Sequence, residues 1–222
     1  MPDKTSLYAP LLVETAWEVC NQVGGIYTVV RSKAPEIVDK WAGNYCMVGP
    51  LLHSKLPAEF EEGFEYDDAF GEAVLEMRKL GFEIHYGRWL TDGKPKVILM
   101  PPLQVFDKIK EIRTTLLHDH KINIFNPDDL LQQVIAFGDL VTHFLRTLES
   151  LQKGNPIIAH FHEWMTGMPI GAIKKEKLKI KTVFTTHATL LGRYIAGNDE
   201  NFYKNLSNYD WLQMAQDRKS VV

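Results

Sequence analysis

Short apolar segments alternate along most of the chain with longer segments in which apolar residues recur every three or four positions. The short segments are typical of buried strands, and the longer ones are typical of amphipathic helices. The alternation predicts an α/β fold, a three-layer sandwich with a mostly parallel sheet and crossover helices. Strands are predicted at Ala9–Glu14, Tyr45–Gly49, Phe82–Tyr86, Val97–Met100, Ile157–Phe161 and Thr182–Thr186. Helices are predicted at Ile26–Lys33, Ala69–Leu80, Phe106–Leu117, Asp128–Gln152 and Met165–Lys175.

The segment Asp128–Gln152 has the most regular helical pattern, with apolar residues at intervals of three and four from Leu130 to Leu148. Pro127 suits a first helical turn, and Asn126 is the expected N-cap. The segment Pro50–Asp68 has no clear period and is interpreted as a surface excursion.

The chain shows no internal repeat and no interdomain linker, so we expect one domain over residues 1–222. Its last residues, Gln216–Val222, are polar and complete no recognisable element. Because a doubly wound sheet would normally continue from there, a fragment of a longer protein is expected.

Hydrophobic residues make up 45% of the chain, charged residues 24%, and the net charge is −3. This charge gives no general attraction to nucleic acid. The amino terminus has no secretory signal pattern, and no segment approaches the roughly 20 apolar residues of a membrane span, so a cytoplasmic protein is expected. Cys20 and Cys46 are interpreted as reduced thiols in the core.

The segment TTHATLLGR, from Thr185 to Arg193, follows the last predicted strand and carries most of the chemistry. Parallel sheets bind ligands outside the carboxyl ends of their strands. We therefore expect His187 and Arg193 to border a ligand crevice. A structural histidine and a solvated arginine are the alternatives.

Gly24 and Gly25 follow the first predicted strand and precede a helix that is expected to begin near Ile26. Glycines at such a turn let the backbone approach a ligand, and the helix N-terminus favours phosphate. The alternative is a tight turn that only packs the helix onto the sheet. The pattern is not GxGxxG, which argues against a nicotinamide or flavin enzyme.

The segment AHFHEWMTG, from Ala159 to Gly167, contains a third set of polar residues at a strand end. Our interpretation places His160 and His162 on opposite faces of the strand, so that one is buried while the other or Glu163 reaches the crevice. A zinc site would need further ligands that the neighbouring sequence lacks, and Trp164 is interpreted as a packing residue.

The three sets lie at one crevice if their strands are neighbours in the sheet. A phosphate-binding turn, a carboxylate, an imidazole and a guanidinium would then be gathered together. Such a set suits group transfer from a phosphorylated donor, in which charge develops on a diphosphate.

ETAWEVCNQVGGIYTV, HYGRWL, AHFHEWMTG and above all FTTHATLLGRY resemble segments of the amino-terminal domain of eukaryotic-type glycogen synthases, from about Leu11 to Tyr203. The resemblance implies a Rossmann-like domain that forms the acceptor-side half of a two-domain GT-B glycosyltransferase. The activity it implies is retaining transfer of glucose from UDP-glucose or ADP-glucose to an α-1,4-glucan such as glycogen. Neither a cofactor nor a metal is implied, and self-association of the full-length enzyme is left open.

The resemblance also implies roles for individual residues. His187 would lie beside the donor glucose and Glu163 would border the sugar subsite, and these two are the catalytic candidates. The remaining candidates are substrate-binding residues: Gly24 and Gly25 at the diphosphate, Arg193 toward the phosphates, and Gln22, His162 and Thr186.

Two departures from the family pattern matter. Gln22 stands where the family usually has lysine or arginine, so a positive charge is missing there. The family's second, nucleotide-binding domain is also missing, so the chain alone is expected to be inactive. A non-catalytic glucan-binding or regulatory module remains an alternative. A dehydrogenase or epimerase is a weaker one, because the chain has neither GxGxxG nor Tyr-x-x-x-Lys.

Overall fold

The computed structural model describes residues 9–63, 66–152 and 154–217. The chain divides into two compact units, Met1–Thr185 and Thr186–Val222. The first unit is an α/β sandwich and the second is helical.

The first unit contains a seven-stranded sheet in the order β3-β4-β5-β2-β1-β6-β7. The neighbours from β5 to β7 pair in parallel, whereas β3 pairs antiparallel with β4 and β4 antiparallel with β5. The predicted α/β fold with a mostly parallel sheet is therefore confirmed. The strands are β1 (Leu11–Thr15), β2 (Tyr45–Pro50), β3 (Phe60–Glu62), β4 (His85–Trp89), β5 (Lys96–Met100), β6 (Ile157–His162) and β7 (Ile180–Thr185).

Helices cover both faces of this sheet, because side chains of each buried strand point alternately to the two faces. Leu11 and Val13 of β1 belong to the larger apolar core, whereas Leu12 belongs to a smaller core that also includes Tyr27 and Val30 of α1. The helices are α1 (Gly25–Trp41), α2 (Ala69–Lys79), α3 (Ile109–His120), α4 (Asp129–Leu151) and α5 (Pro169–Glu176). Short 3₁₀ helices lie at Ala42–Asn44, Pro102–Lys108 and Trp164–Thr166.

The structure corrects several details of the sequence prediction. The N-cap of α4 is Asp128, whose carboxylate accepts the Leu131 N–H at 2.7 Å, and the predicted cap Asn126 lies outside the helix at φ 40°. The segment Pro50–Asp68 contributes β3, a short edge strand that has too few residues to show a period. Helix α1 continues past Pro35 to Trp41.

The two cysteines fit the expectation of reduced thiols in the core. Cys20 and Cys46 are free and buried, and burial raises the pKa of both thiols. Within the described residues, no helix is both long and apolar enough to cross a bilayer.

The second unit consists of α6 (Leu190–Asn198), α7 (Phe202–Asn205), a 3₁₀ turn at Leu206–Asn208 and α8 (Trp211–Asp217). Phe202 contacts the rings of Tyr209 and Trp211, with ring centroids 6.1 and 6.5 Å away. The Asp199 carboxylate accepts hydrogen bonds from the Tyr209 hydroxyl, from the Asn205 amide at 3.0 Å and from the Asn201 N–H at 2.8 Å, and these bonds lower its pKa.

Candidate functional site

Strands β1, β6 and β7 are consecutive neighbours and run in parallel, so their carboxyl ends lie at the same edge of the sheet. Glu163 directly follows β6, and its N–H donates to the carbonyl of Thr185, the last residue of β7, at 2.9 Å. The condition that the three polar strand ends belong to neighbouring strands is therefore met.

The Gly24–Gly25 turn lies at the start of α1 and is exposed, as is Gln22. The N–H groups of Gly24 and Tyr27 donate to Oε2 of Glu18 at 2.7 and 2.9 Å. A Cβ at Gly24 would lie 3.2 Å from Oε1 of Glu18, whereas a Cβ at Gly25 would meet no atom of the described residues within 4 Å. A buried carboxylate from the same chain therefore already binds two of the donors at this helix N-terminus.

Glu163 has a backbone conformation that is rare for residues other than glycine, with φ 63° and ψ 172°. The Thr166 hydroxyl donates to the His162 carbonyl at 2.7 Å, and the Thr166 N–H donates to the Glu163 carbonyl at 3.2 Å. These bonds stabilise the turn. The next residue, Trp164, is 53% exposed, so the expectation that it is a packing residue is wrong.

Glu14 of β1 is the centre of a polar cluster that is buried beneath this edge. Its side chain is 1% exposed, and its carboxylate accepts hydrogen bonds from the Lys33 ammonium and the Tyr45 hydroxyl. The cluster also includes His162, whose Nε2 lies 2.7 Å from Oε1 of Glu14, and His160, whose Nδ1 lies 3.3 Å from the same oxygen. Since a carboxylate only accepts, both of these ring nitrogens carry protons.

The charges of this cluster follow from its contacts. Burial by itself raises the pKa of Glu14, but hydrogen bonds from His160 and His162, together with the Lys33 charge, hold that pKa well below its usual range. Burial lowers the pKa of His162 below its usual 6.5. At neutral pH the cluster therefore pairs a carboxylate with an ammonium, and His162 is neutral.

The expectation that His160 and His162 point to opposite faces of β6 is wrong. Their rings lie on the same face, with centroids 4.3 Å apart. The physical reason is the period of two in a strand, which places positions i and i+2 on one face. His162 is 2% exposed and bonds to Glu14 from the interior of the sandwich.

Ligand atoms of Glu14, His160 and His162 lie within 4.8 Å of one another, a spacing that a metal ion could bridge. Glu14 was absent from the zinc hypothesis, because the strand containing it looks apolar apart from this one residue. The Lys33 ammonium lies 3.4 Å from Nε2 of His162 and contacts the same Glu14 oxygen. A lysine side chain therefore supplies positive charge where a metal would bind.

Thr186, His187 and Arg193 belong to the second unit, and all three are exposed. The Thr186 hydroxyl donates to the Ala188 carbonyl at 3.3 Å. Arg193 lies near the start of α6, where the Thr189 hydroxyl caps the helix by accepting the Gly192 N–H at 3.0 Å. The prediction that His187 shares one edge with Gly24 and Glu163 spans the two units and stays a prediction.

Comparison with known proteins identifies similar sequences over most of the chain. The family model described as "Glycogen synthase" matches residues 14–221. The chain is 38% identical over 200 residues to glycogen [starch] synthase of Neurospora crassa, covering 90% of this chain and 28% of that protein. It is 36% identical over 209 residues to the human liver glycogen [starch] synthase, covering 94% of this chain and 30% of that protein.

A solved structure of the catalytic domain of Starch Synthase IV from Arabidopsis thaliana, bound to ADP and acarbose, is also similar. The identity is 16% and the TM-score 0.47, with coverage of 81% of this chain and 34% of that one. The chain thus spans about 28–30% of the length of the two synthases named above.

Proposed function

The chain belongs to the glycogen synthase family, and we propose that it supplies one wall of the catalytic cleft of such an enzyme. The complete enzyme would transfer glucose from UDP-glucose or ADP-glucose to the non-reducing end of an α-1,4-glucan, with retention of configuration. The family match carries this proposal, since it covers residues 14–221 and so every proposed site residue. The second wall would come from a second domain of the two-domain GT-B arrangement.

The donor diphosphate would bind at the start of α1. Gly24 and Gly25 are exposed there, and among the described residues no atom lies within 4 Å of a Cβ placed on Gly25, which leaves room for a phosphate against the backbone. Glu18 already accepts two N–H groups of this turn, and its negative charge opposes a diphosphate. Gln22 can donate a hydrogen bond to the phosphates but adds no charge, so other cations must balance Glu18.

The sugar would bind beside Glu163, at the carboxyl end of β6. Support comes from its constrained backbone, since strained residues cluster at functional sites. We assign Glu163 to the donor or acceptor sugar hydroxyls. We assign Thr186 to substrate binding, as the resemblance implies, and we treat His162 as a residue that supports the site from the buried side.

His187 and Arg193 would act on the donor: His187 beside the glucose that is transferred, and Arg193 on the diphosphate as it leaves. A guanidinium and oriented N–H groups can stabilise the charge that develops on the leaving diphosphate. The proposal assigns no metal and no cofactor to this step. The cytoplasm is the proposed compartment, and self-association is proposed only for the full-length enzyme.

The experiment requires a completed enzyme, in which this chain is fused to the remaining carboxyl-terminal part of the Neurospora crassa relative. We expect it to incorporate labelled glucose from UDP-glucose or ADP-glucose into glycogen, and parallel assays identify the preferred donor. The isolated chain should incorporate almost none, because both walls are needed around the leaving diphosphate. Robust transfer by the isolated chain would contradict the one-wall proposal.

A completed enzyme that binds glycogen but transfers no glucose would contradict the enzymatic proposal. It would support instead a non-catalytic glucan-binding or regulatory module of the same fold. Glycogen co-sedimentation, carried out beside the transfer assay, distinguishes these two outcomes.

A further inference from the structure

We propose that Glu14 is a positioning residue for the sugar side of the site, acting through His162 and His160 on the backbone of Glu163. This inference rests on the proposed function, because it assumes that Glu163 borders the sugar. Glu14 itself contacts no substrate, since its side chain is 1% exposed.

The Glu14 cluster uses ionic groups where the fold needs only an apolar side chain. On the same face of the sheet, Leu12 and Ala16 are apolar neighbours in the chain. Burying a carboxylate with an ammonium costs desolvation energy that apolar packing avoids, so such a pair is weak evidence for a role in stability. Its directional hydrogen bonds, in contrast, can hold particular side chains in one geometry.

The cluster reaches both strands whose ends determine the position of Glu163. On β6, Nε2 of His162 bonds to Glu14 at 2.7 Å, and His162 immediately precedes Glu163. On β7, the Thr185 hydroxyl lies 2.8 Å from Nε2 of His160, while the Thr185 carbonyl accepts the Glu163 N–H. One carboxylate therefore connects the two backbone segments that flank Glu163.

The Glu163 backbone needs such support. A non-glycine residue at φ 63° and ψ 172° persists only when its surroundings over-determine its conformation. On one side of Glu163, the Thr166 hydroxyl donates to the carbonyls of His162 and Glu163. On the other, the buried Glu14 carboxylate accepts a hydrogen bond from the His162 ring. If the Glu14 bond is lost, we expect the turn to relax toward common backbone angles and to move the Glu163 carboxylate away from the sugar.

Lys33 gives the cluster its charge balance and connects it to α1. Its side chain is 29% exposed and its ammonium contacts Glu14 directly, so the carboxylate stays ionised without a metal. Lys33 lies two turns after the Gly24–Gly25 turn. The turn itself is held separately by Glu18, so loss of Glu14 should disturb the sugar side more than the diphosphate side.

The first test compares two variants of the completed enzyme. Glu14→Gln keeps the shape but removes the charge. Asp68→Asn is the matched control, because it removes the carboxylate of another ion pair with a lysine in this unit, Asp68–Lys96. Lys96 is the first residue of β5, so this pair lies at the amino ends of the parallel strands, away from Glu163. We expect Glu14→Gln to lower kcat by about tenfold or more while KM for the donor changes little, as for an interaction made in the transition state.

Asp68→Asn should lower Tm about as much as Glu14→Gln does, but it should keep the kcat of the parent enzyme. Glu14→Asp should recover part of kcat, because it restores the charge. An unchanged kcat in Glu14→Gln, or an equal loss in both variants, would overturn the proposal.

The second test keeps Glu14 and its charge, and so remains informative if Glu14→Gln does not fold. His162→Gln places an amide N–H near the position of Nε2 and can still donate to Glu14, whereas His162→Asn cannot reach it. We expect His162→Gln to retain most of kcat and His162→Asn to lose about as much as Glu14→Gln. Equal losses in the two variants would show that the imidazole itself is required and would overturn the positioning role.

An inactive parent enzyme would contradict the proposed function rather than the positioning role. In that case, crystal structures of the chain and of its Glu14→Gln variant test the positioning role of Glu14. A Glu163 that leaves positive φ in the variant supports the proposal, and an unchanged Glu163 overturns it.

Discussion

The carboxylate of Glu18 lies 2.7 Å from the backbone nitrogen of Gly24, so the turn proposed to bind a diphosphate is already bound by an anion of the same chain. The bond fixes the turn, because the same oxygen also accepts the Tyr27 N–H. It also lowers the positive potential that a helix N-terminus offers to phosphate. Glu18 therefore has two opposing effects on donor binding.

Replacement of Glu18 separates these effects. Glu18→Gln keeps an acceptor for both N–H groups and removes the charge, so KM for the donor should fall by about 2- to 5-fold, which corresponds to a repulsion of about 1 kcal/mol or less between this carboxylate and the diphosphate. Glu18→Ala removes the cap and should lower the free energy of unfolding by about 1 kcal/mol. Steady-state kinetics of the completed enzyme and urea denaturation of the chain measure the two quantities. A KM that rises in Glu18→Gln would show that the charge does not face the donor.

Gln22→Lys should tighten donor binding in the completed enzyme, because a charge-assisted hydrogen bond is about twice as strong as a neutral one. If the charge acts equally on ground state and transition state, KM falls while kcat barely changes. The gain should shrink at high salt, and Gln22→Glu should raise KM. If KM and kcat stay unchanged in Gln22→Lys, or if this variant binds the donor more weakly at low salt, Gln22 does not face the phosphates.

Glu163→Gly should make the protein more stable and less active. Glycine adopts φ 63° without strain, so the free energy of unfolding should rise by about 1 kcal/mol after allowance for the flexibility of glycine in the unfolded chain. Loss of the carboxylate should lower kcat of the completed enzyme by about 10²-fold, a typical effect of removing a group that acts in the transition state.

Lys177→Gly is the matched control for Glu163→Gly, because Lys177 also has positive φ, at 57°, but lies at the end of α5. It should keep kcat. Normal kcat in Glu163→Gly would remove Glu163 from the reaction.

His187→Ala in the completed enzyme should lower kcat by about 10²-fold or more, as loss of a preorganised donor to the transition state does. His118→Ala is the control, since His118 is an exposed histidine of α3 that bonds to Asp119. Near-normal kcat in His187→Ala would make His187 a structural residue.

The stability of the chain should fall as the pH drops below 6.5, the usual pKa of histidine. Burial lowers the pKa of His162 in the folded state, so below pH 6.5 the unfolded chain binds the proton more readily and stability is lost. In His162→Gln, which cannot titrate, the loss between pH 7.5 and 5.5 should be smaller. Urea denaturation at these two pH values gives the comparison, and equal losses would show that His162 does not contribute.

The sequence by itself determined the features that depend on local patterns. Strands and helices were recognisable because a buried strand and an amphipathic helix repeat their apolar positions at different intervals. The polar residues after β6 and β7 were recognisable for the same reason, since they follow apolar segments directly, and the Gly24–Gly25 pair was recognisable because it precedes a helical pattern. The family followed from motifs such as FTTHATLLGRY, which are also local.

Only the tertiary structure decided which of these residues meet. Glu14, Lys33 and His162 are far apart in the chain, and they come together because β1 lies between β2 and β6 with α1 across that face. The antiparallel pairing of the short strand β3 with β4 was hidden for a related reason: three residues are too few to show a period. Pairing between distant segments depends on the order of the strands in the sheet, and the pattern within a single segment does not encode that order.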